Sequence, residues 1–540
     1  MLLNYFDLIK NKSSLKITLI LATVFFVLML AFSLNRFYSF YASYDQSLFD
    51  QLFWNTIHGH LFQGSLSSGQ SSAYIQDGQI QKVFYCHLAQ HFVIDFLLWM
   101  PIYALFPSGV TLVILQVSLI TIAGLVLYVL SRHYLPSSIA VLITASFYGA
   151  NAVIGPTFAN FYEHCQIPLF IFSLLLALEK RKWWLFWLFL ILTLGIREET
   201  GTILFGIGLY LIFSRRYPRL GLAVCTLSFS YVIIVTNVIM PLFSNDNSRL
   251  YLTAYFSQYV PGNNSPSTLQ LLWGIVTHPQ ELIQSLLTPV DKRVKYFLGQ
   301  WLPLAFIPAI APSAWILAGP PLLVLLMQHS IAALSMSIRY ALTVVPGLFY
   351  GTILWLSQHQ EQFKPRFRRW WIRFIALSIF FAITSNPSDA FYFLIPDSLS
   401  PWVYVPLTRQ WEHVRHIRAL MQYIPATASV SATTFLLPHL ATRREIIRLP
   451  SVQLQMDSGE VIDVDFALAD LWRLQQYQPA FKNDRQQLQY FVSFINQLLL
   501  QGKYGLVDVQ DGVILLQKKV TSQPQAITRW LEWLAEIQKL

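Results

Sequence analysis

Long apolar segments alternate with shorter polar ones over the first 385 residues, which indicates a chain that crosses a membrane repeatedly. The segments predicted to span are about 17–34, 110–131, 137–156, 165–179, 183–197, 200–214, 219–243, 300–311, 313–328, 340–357 and 371–385, which makes about eleven spans. Those between 165 and 214 are short for a bilayer and are expected to end at a cavity. The apolar stretch 91–106 is shorter than a crossing and contains Pro101, so we predict a juxtamembrane or re-entrant helix there.

Charged residues at the ends of these segments predict the orientation of the chain. The basic clusters are Lys10, Lys12 and Lys16; Lys180, Arg181 and Lys182; Arg215, Arg216 and Arg219; and Lys364, Arg366, Arg368, Arg369 and Arg373. The opposite ends carry Asp45, Asp50, His87, His91, Glu163, His164, Glu198 and Glu199. Short basic loops stay in the cytoplasm, so the N-terminus is expected inside and the C-terminus outside. His133, Glu179, His359 and Glu361 are exceptions at the basic ends.

The composition changes after residue 385, and residues 386–540 are predicted to form a small extracytoplasmic α/β domain. Strands are predicted at 428–432, 446–449 and 461–468, and a hairpin at 505–509 and 513–516. A helical pattern covers 485–500. The chain is thus predicted to be a mainly α, polytopic transmembrane helical bundle (1–385), with large outer loops at 35–108 and 244–299, followed by this domain.

Composition agrees with a multi-pass protein of the plasma membrane. Hydrophobic residues make up 55% of the chain and charged residues only 12%, about half the usual share in a soluble protein. The mean hydropathy is +0.48. The net charge is +10, and the Lys and Arg residues lie at the ends of the predicted helices. We interpret this charge as the excess of basic residues that cytoplasmic loops carry, and no nucleic-acid partner is expected. Cys86, Cys165 and Cys225 are too scattered for a disulfide framework or a thiolate metal site.

The first outer loop carries two acidic residues near its start. Asp45 lies about ten residues past the first span, where a carboxylate can act as a general base toward a hydroxyl or hold a metal. The alternative is a helix N-cap, because an amphipathic run begins at Ser47. Asp50 is interpreted as a solvated helix residue.

His87 and His91 have the spacing that places two imidazoles on one face of a helix, which suits a zinc pair. No third ligand is adjacent, so a wet interfacial pair is the alternative. The sequence leaves metal and cofactor unknown, with a divalent cation as one possibility.

Charges also lie close to the apolar spans, where they are costly and therefore indicate function. Glu163 lies at the end of one span, Arg197, Glu198 and Glu199 lie between two short ones, and Arg339 lies at the mouth of another. A structural ion pair is the alternative for Arg197, and an interface anchor is the alternative to phosphate binding for Arg339. The chain has no Walker, dinucleotide, serine-elbow or zincin motif.

Short motifs follow one another in a recognisable order along nearly the whole chain. They are Asp45 with Gln51 and Trp54; His91 with Pro101-Ile102-Tyr103 and Pro107; Asn160-Phe161-Tyr162-Glu163; Arg197-Glu198-Glu199; Arg339-Tyr340 with Pro346; and Ser431-Ala432, Pro438-His439-Leu440 and Arg443. This order resembles the bacterial membrane proteins of the domain of unknown function 2079 family, within the GT-C superfamily of lipid-phosphate-sugar-dependent glycosyltransferases.

The resemblance implies a GT-C-like fold with a carboxylate in the first outer loop as base or metal ligand, and Asp45 matches that position. A histidine is expected directly after Phe161, whereas this chain has Tyr162 there and His164 two residues later. The expectation that the protein is an enzyme comes from the fold class and is an analogy.

Two classes of function follow. In the first, a membrane glycosyltransferase uses a polyprenyl-phosphate-linked sugar at the outer face, and Asp45 deprotonates an unknown acceptor while Arg339 or Arg197 neutralises the departing lipid phosphate. Asp45, His91, Glu163, Glu198 and Arg339 are then expected to line one outward-facing cavity, and the tail domain is expected to shape the access of the acceptor.

In the second class of function, the protein is a transporter or a lipid-binding envelope-assembly protein that catalyses no reaction. Transporters carry charges near the midplane and often show repeats; here the charges lie near one face and no repeat is visible, which favours the enzyme.

Overall fold

The computed structural model describes residues 2–244, 254–262 and 266–539, which are mainly helical, as predicted. The chain forms two compact units. The membrane unit comprises Met1–Ser33, Leu88–Pro101 and Leu112–Ser388, and the tail unit comprises Leu34–His87, Ile102–Thr111 and Asp389–Leu540. Most of the first outer loop therefore belongs to the same unit as the C-terminal segment.

Helices account for the regular structure described in the membrane unit. Those with residues in this unit are Leu2–Tyr38, Met100–Leu105, Gly109–Tyr134, Ser137–Tyr148, Asn151–Phe158, Ile167–Glu179, Trp183–Ile196, Gly201–Phe213, Pro218–Ile234, Thr268–Thr277, Pro279–Leu287, Val290–Trp301, Ile307–Ile310, Pro312–Met327, Ala341–Gln358 and Pro365–Thr384. Helices Thr268–Thr277 and Pro279–Leu287 lie in the predicted second outer loop, and helix Val290–Trp301 begins there. Residues 245–253 and 263–265 of this loop lie outside the described residues.

Among the described residues, four helices are long and apolar enough to cross a membrane: Lys12–Tyr38, Gly109–Tyr134, Pro218–Leu242 and Ala341–Gln358. A fifth crossing results if Ser137–Tyr148 and Asn151–Phe158, which meet at 42°, form one broken span. Several other predicted spans are apolar helices of fewer residues, so the total of eleven stays a prediction.

Two proline-containing segments depart from regular helices. The predicted span 300–311 is not one helix, because a 3-10 turn at Leu302–Leu304 is followed by left-handed residues at Ala305 and Phe306 and a short helix at Ile307–Ile310. The stretch 91–106 also forms no long helix: a 3-10 helix covers Ile94–Leu98, and an α-helix covers Met100–Leu105. That agrees with the prediction that this stretch is too short to cross.

Glu179 is one of the exceptions to the predicted charge asymmetry, and its contacts explain it. Both carboxylate oxygens accept hydrogen bonds from Arg216, each at 2.8 Å, and Oε1 also accepts one from the Tyr350 hydroxyl at 2.6 Å. The buried carboxylate of Glu179 is therefore paired with Arg216, which belongs to one of the basic clusters. A buried charge needs such a partner.

Every strand among the described residues lies in the tail unit. The main sheet has the order Ile446–Arg448, Val430–Ala432, Phe466–Asp470, Val513–Lys518, Tyr504–Gln510. The first three strands are parallel, and the last two form the predicted hairpin. The predicted strand 461–468 is instead two strands, Val461–Asp463 and Phe466–Asp470. Helices at Leu407–Met421, Trp472–Tyr477, Lys482–Leu500 and Pro524–Lys539 accompany the sheet.

Two features connect the first outer loop to the C-terminal part of the tail unit: a short strand and the side chain of Gln51. Strand Gln81–Lys82 pairs in parallel with Gln453–Gln455. The Gln51 side chain donates to Ser65 Oγ at 2.9 Å and to the Arg444 carbonyl at 3.0 Å, and it accepts from the Leu66 backbone N–H. Gln51 therefore joins helix Tyr44–Ile57 to the tail segment.

Candidate functional site

A group of ionisable side chains meets at helix ends in the membrane unit. Helix Trp183–Ile196 stops before Arg197, a 3-10 turn covers Glu198–Thr200, and the next helix begins at Gly201. The Thr200 hydroxyl closes this break by donating to the Thr193 carbonyl at 2.6 Å. Because residues 197–200 lie between two helices, their charged side chains can contact charged side chains from other segments that interrupt the helices.

Arg197 is the centre of this group, and its side chain is fully buried. Its Nη1 donates to Glu163 Oε1 at 2.8 Å, and its Nε lies 3.4 Å from Glu198 Oε1 and 3.9 Å from Glu199 Oε2. Its Nη2 contacts His91 Nε2 at 3.0 Å. The ion pair that was the structural alternative for Arg197 is thus present, and it joins residues from three separate segments. We call Arg197, His91, Glu163, Glu198 and Glu199, together with His164, the carboxylate cluster.

His164 completes the cluster between two of its acids. Its Nε2 lies 2.9 Å from Glu199 Oε1, and its Nδ1 lies 3.2 Å from Glu163 Oε1. Burial opposes ionisation of Glu199, but Arg197 and the hydrogen bond with His164 outweigh it and hold the pKa of Glu199 below its usual range. The acids therefore outnumber the fixed guanidinium, and the cluster is rich in hydrogen-bond acceptors.

Arg339 lies next to the cluster in a different setting. Its guanidinium carbon is 4.3 Å from the centre of the Tyr162 ring and 4.8 Å from that of Tyr340, and Nη2 contacts the Tyr340 hydroxyl at 3.2 Å. Among the described residues no carboxylate lies within 4.0 Å of it, and its Nε is buried without a hydrogen-bond partner. A guanidinium held between two aromatic rings with donors to spare is suited to bind an anion.

A glycine allows the loop before Arg339 to approach the neighbouring helix. A Cβ on Gly155 would lie 2.4 Å from the Met336 carbonyl oxygen, closer than any side chain permits. Gly206 has the same role between two helices, because a Cβ there would lie 2.3 Å from the Leu317 carbonyl oxygen. Both positions therefore need glycine for close packing of the backbone.

An apolar cavity in the membrane unit has Glu198 and Glu199 in its lining. Its volume is about 410 Å³, and most of its lining residues lie on four helices, Gly201–Phe213, Pro218–Ile234, Thr268–Thr277 and Pro312–Met327. Apart from the two acids and a few hydroxyl and amide groups, the lining is aliphatic and aromatic. Phe229 and Leu323 of this lining are 51% and 43% exposed, so the cavity is open on one side of the unit. An apolar chain with a polar head group matches this distribution.

The structure also reveals an acid that sequence reasoning missed. Asp95, in the 3-10 helix Ile94–Leu98, is 6% exposed and forms no ion pair among the described residues. Burial and the nearby charge of Glu163 raise the pKa of Asp95 well above its usual value. The signal was present, since Asp95 is the single acid within the apolar stretch 91–106.

Asp45 and Asp50 lie in the tail unit, on helix Tyr44–Ile57. The N-cap of this helix is Ser43, so the interpretation of Asp45 as N-cap is wrong; Asp45 lies in the first turn, where the helix dipole favours a negative charge. It is partly exposed and its Oδ1 accepts a 3.5 Å hydrogen bond from Gln70. Its catalytic role, and the expectation that it shares a cavity with Glu198, stay predictions.

The interpretation of Asp50 as a solvated residue is wrong. It is 1% exposed, and its Oδ1 accepts a hydrogen bond from the Tyr103 hydroxyl at 2.5 Å. Burial raises the pKa of Asp50 to about 7, and the hydrogen bond from Tyr103 limits the rise. The helix is buried on nearly all sides, so its polar positions do not mark a solvated face.

The predicted histidine pair does not form one helical face. A 3-10 helix covers His87–Ala89 and ends before His91, and His87 Nδ1 lies 3.1 Å from Ser67 Oγ. Among the described residues no group of three or more His, Cys, Asp or Glu side chains is arranged to hold a metal ion.

Two motif residues near position 440 have structural contacts. His439 donates from Nε2 to the Phe37 carbonyl at 2.9 Å, and burial lowers the pKa of His439 to about 4, so the ring is neutral. Arg443 donates to the carbonyls of Leu440 and Ala428 at 2.8 Å and 2.9 Å. These contacts join the end of the first helix and the turns of the tail unit.

Helices of spanning length and a charged cluster at helix breaks define a helical integral membrane protein. The chain belongs to the predicted membrane protein family DUF2079, whose model matches residues 36–515. No curated protein matches the chain.

Proposed function

We propose that the protein is a membrane glycosyltransferase that transfers a sugar from a polyprenyl-phosphate carrier to an acceptor at the outer face of the membrane. The observation that carries the proposal is the apolar cavity whose lining includes the acids Glu198 and Glu199. In a bilayer its exposed side would face lipid, so a polyprenyl chain can enter from the membrane. The sugar hydroxyls would then meet carboxylate acceptors.

Arg339 is the better candidate of the two arginines for the lipid phosphate. Arg197 is already engaged by three carboxylates, whereas among the described residues no carboxylate lies within 4.0 Å of Arg339. During transfer the acceptor oxygen bonds to the anomeric carbon, the bond from that carbon to the phosphate oxygen breaks, and the phosphate leaves with one more negative charge. A guanidinium beside that oxygen stabilises the developing charge.

Asp45 remains the proposed general base, which takes the proton of the acceptor hydroxyl. It lies in the first turn of helix Tyr44–Ile57 and is partly exposed, so an acceptor hydroxyl can reach its carboxylate. His91, Glu163 and Glu198 are proposed to hold the donor sugar, directly or by positioning one another.

Lipid binding without chemistry is the second candidate, because the same cavity favours it. Undecaprenyl phosphate binding can be measured by native mass spectrometry on the purified protein, with uncharged undecaprenol as comparison. Val232→Trp, which fills the cavity, and Arg339→Gln should each reduce phosphate-lipid binding about tenfold or more. Leu222→Trp, on the same helix but 62% exposed and outside the cavity, and Arg373→Gln, an exposed arginine over Trp370, are the matched controls.

Transfer is then followed as radiolabelled sugar passing from lipid carrier to acceptor in membranes that contain each variant. Binding with transfer supports the enzyme, and binding without transfer supports the second candidate. Equal phosphate-lipid binding by wild type, Val232→Trp and Arg339→Gln would overturn both.

A further inference from the structure

The tail unit contains a cavity of its own, of about 290 Å³, that no motif indicated. It lies at the carboxyl ends of two neighbouring parallel strands, Val430–Ala432 and Phe466–Asp470. The chain leaves the first strand toward Ile446–Arg448 on one side and the second toward the hairpin on the other. Ligands bind at such a switch point in open α/β sheets because the diverging connections leave a crevice there.

Three residues that line this cavity carry a buried polar atom that has no hydrogen-bond partner among the described residues. Gln410 is 3% exposed; its Nε2 donates to the Ser39 carbonyl at 2.6 Å, whereas its Oε1 has no hydrogen-bond partner among the described residues. Trp472 Nε1 and Arg473 Nη1 are likewise buried without an acceptor. A buried polar group without a partner is unfavourable, so a polar ligand that reaches these atoms is favoured.

The charges around the cavity are largely paired within the protein. Arg473 donates to Asp389 Oδ2 at 2.5 Å. His413 lies 2.8 Å from Asp511 Oδ2 and 3.2 Å from Asp470 Oδ1. Burial opposes its ionisation, but the two carboxylates outweigh it and raise the pKa of His413 to about 9, so an imidazolium balances them at neutral pH. The site therefore offers little net charge to an ionic ligand.

The mixture of free donors and acceptors selects the ligand chemistry. Gln410 Oε1 lacks a donor, whereas Trp472 Nε1 and Arg473 Nη1 lack acceptors among the described residues. The polar side chains of Asp484 and Gln487 also line the cavity. An anion supplies only acceptors and an ammonium only donors, but a hydroxyl supplies both. Phe435 and Phe491 add aromatic surface for the apolar face of a sugar ring.

We propose that the tail unit binds a neutral carbohydrate of one or two sugar units in this cavity. The proposal stands on contacts within the tail unit and does not rest on glycosyl transfer by the membrane unit.

The test measures binding of galactose, glucose, mannose and N-acetylglucosamine to the full-length protein in nanodiscs by saturation-transfer NMR. Galacturonate and glucosamine serve as the anionic and cationic comparisons. We expect saturable binding of at least one neutral sugar. The double variant Asp484→Asn, Gln487→Ala should weaken it about tenfold, and Gln489→Ala, exposed on the same helix outside the cavity, should not change it.

Asp484 is partly buried and Gln487 is exposed, so their replacement leaves the core intact. The proposal is overturned if none of the neutral sugars binds saturably, if galacturonate or glucosamine binds more tightly than every neutral sugar, or if the double variant binds as the Gln489→Ala control does.

Discussion

Arg197 Nη2 lies 3.0 Å from His91 Nε2, and this contact determines where the histidine proton is. A guanidinium has only donors, so Nε2 of His91 accepts and the ring proton lies on Nδ1. That proton is then donated to Glu198 Oε1, 2.9 Å away. Both nitrogens of His91 are thus engaged, and the residue acts by orienting Glu198, whose Oε2 accepts the Phe92 backbone N–H at 2.9 Å.

The first prediction concerns this tautomer. Burial and the Arg197 charge lower the pKa of His91 below its usual value of 6.5, so at pH 7 the ring should be neutral and protonated on Nδ1. Nitrogen NMR of histidine-labelled protein measures it directly, with His91→Gln to assign the signal. An imidazolium signal from His91 at pH 7 would contradict the geometry.

The second prediction concerns Asp50, whose folded pKa of about 7 lies above its ordinary value of 3.8. The folded protein therefore holds this proton more tightly than the unfolded chain, and the associated stability is full below pH 3.8 and is lost as the pH rises through 7. Asp50→Asn cannot ionise and can still accept from Tyr103. We expect its melting temperature to exceed that of wild type by about 2 °C or more at pH 8.5 and to differ little at pH 4.

Asp77→Asn, an exposed acid in the same unit, is the control and should match wild type at both pH values. A lower melting temperature of Asp50→Asn at pH 8.5 would mean that Asp50 is ionised and stabilising in the folded protein.

The third prediction is the orientation of the C-terminus. The basic ends of the apolar segments predict that it lies outside the cytoplasm. A reporter that is active only outside the cytoplasm, fused after the last residue, should be active. A well-expressed but inactive fusion, together with an active cytoplasmic reporter at the same position, would refute the orientation.

The hairpin Tyr504–Gln510 and Val513–Lys518 was predictable because its strands and its turn are adjacent in sequence. Glu163, Arg197 and Glu198 were also recognisable one by one, since charges beside apolar helices have few explanations. These signals are local, and the sequence shows them without knowledge of the packing.

The contacts that the sequence could not show join distant residues. Asp50 was assigned to solvent because the Tyr103 hydroxyl that it contacts lies 53 positions away in the chain. The strand Gln81–Lys82 has only two residues, and its partner Gln453–Gln455 is far along the chain. Periodicity reports which face of an element is apolar, but it does not report which element covers that face.

The last prediction is the catalytic role of Asp45. A general base contributes about 10²–10⁴-fold to rate, so Asp45→Asn should lower sugar transfer in membranes by that factor while expression and melting temperature stay close to wild type. The asparagine keeps the size of the side chain and can still accept from Gln70, and an unchanged melting temperature would show that the loss of activity reports the lost basicity. Asp77→Asn is again the matched control, because it removes one negative charge from the same loop at an exposed position. If Asp45→Asn and Asp77→Asn transfer sugar equally well, Asp45 is not the base. The negative charge of Asp45 would then serve the first turn of helix Tyr44–Ile57, where the helix dipole favours it.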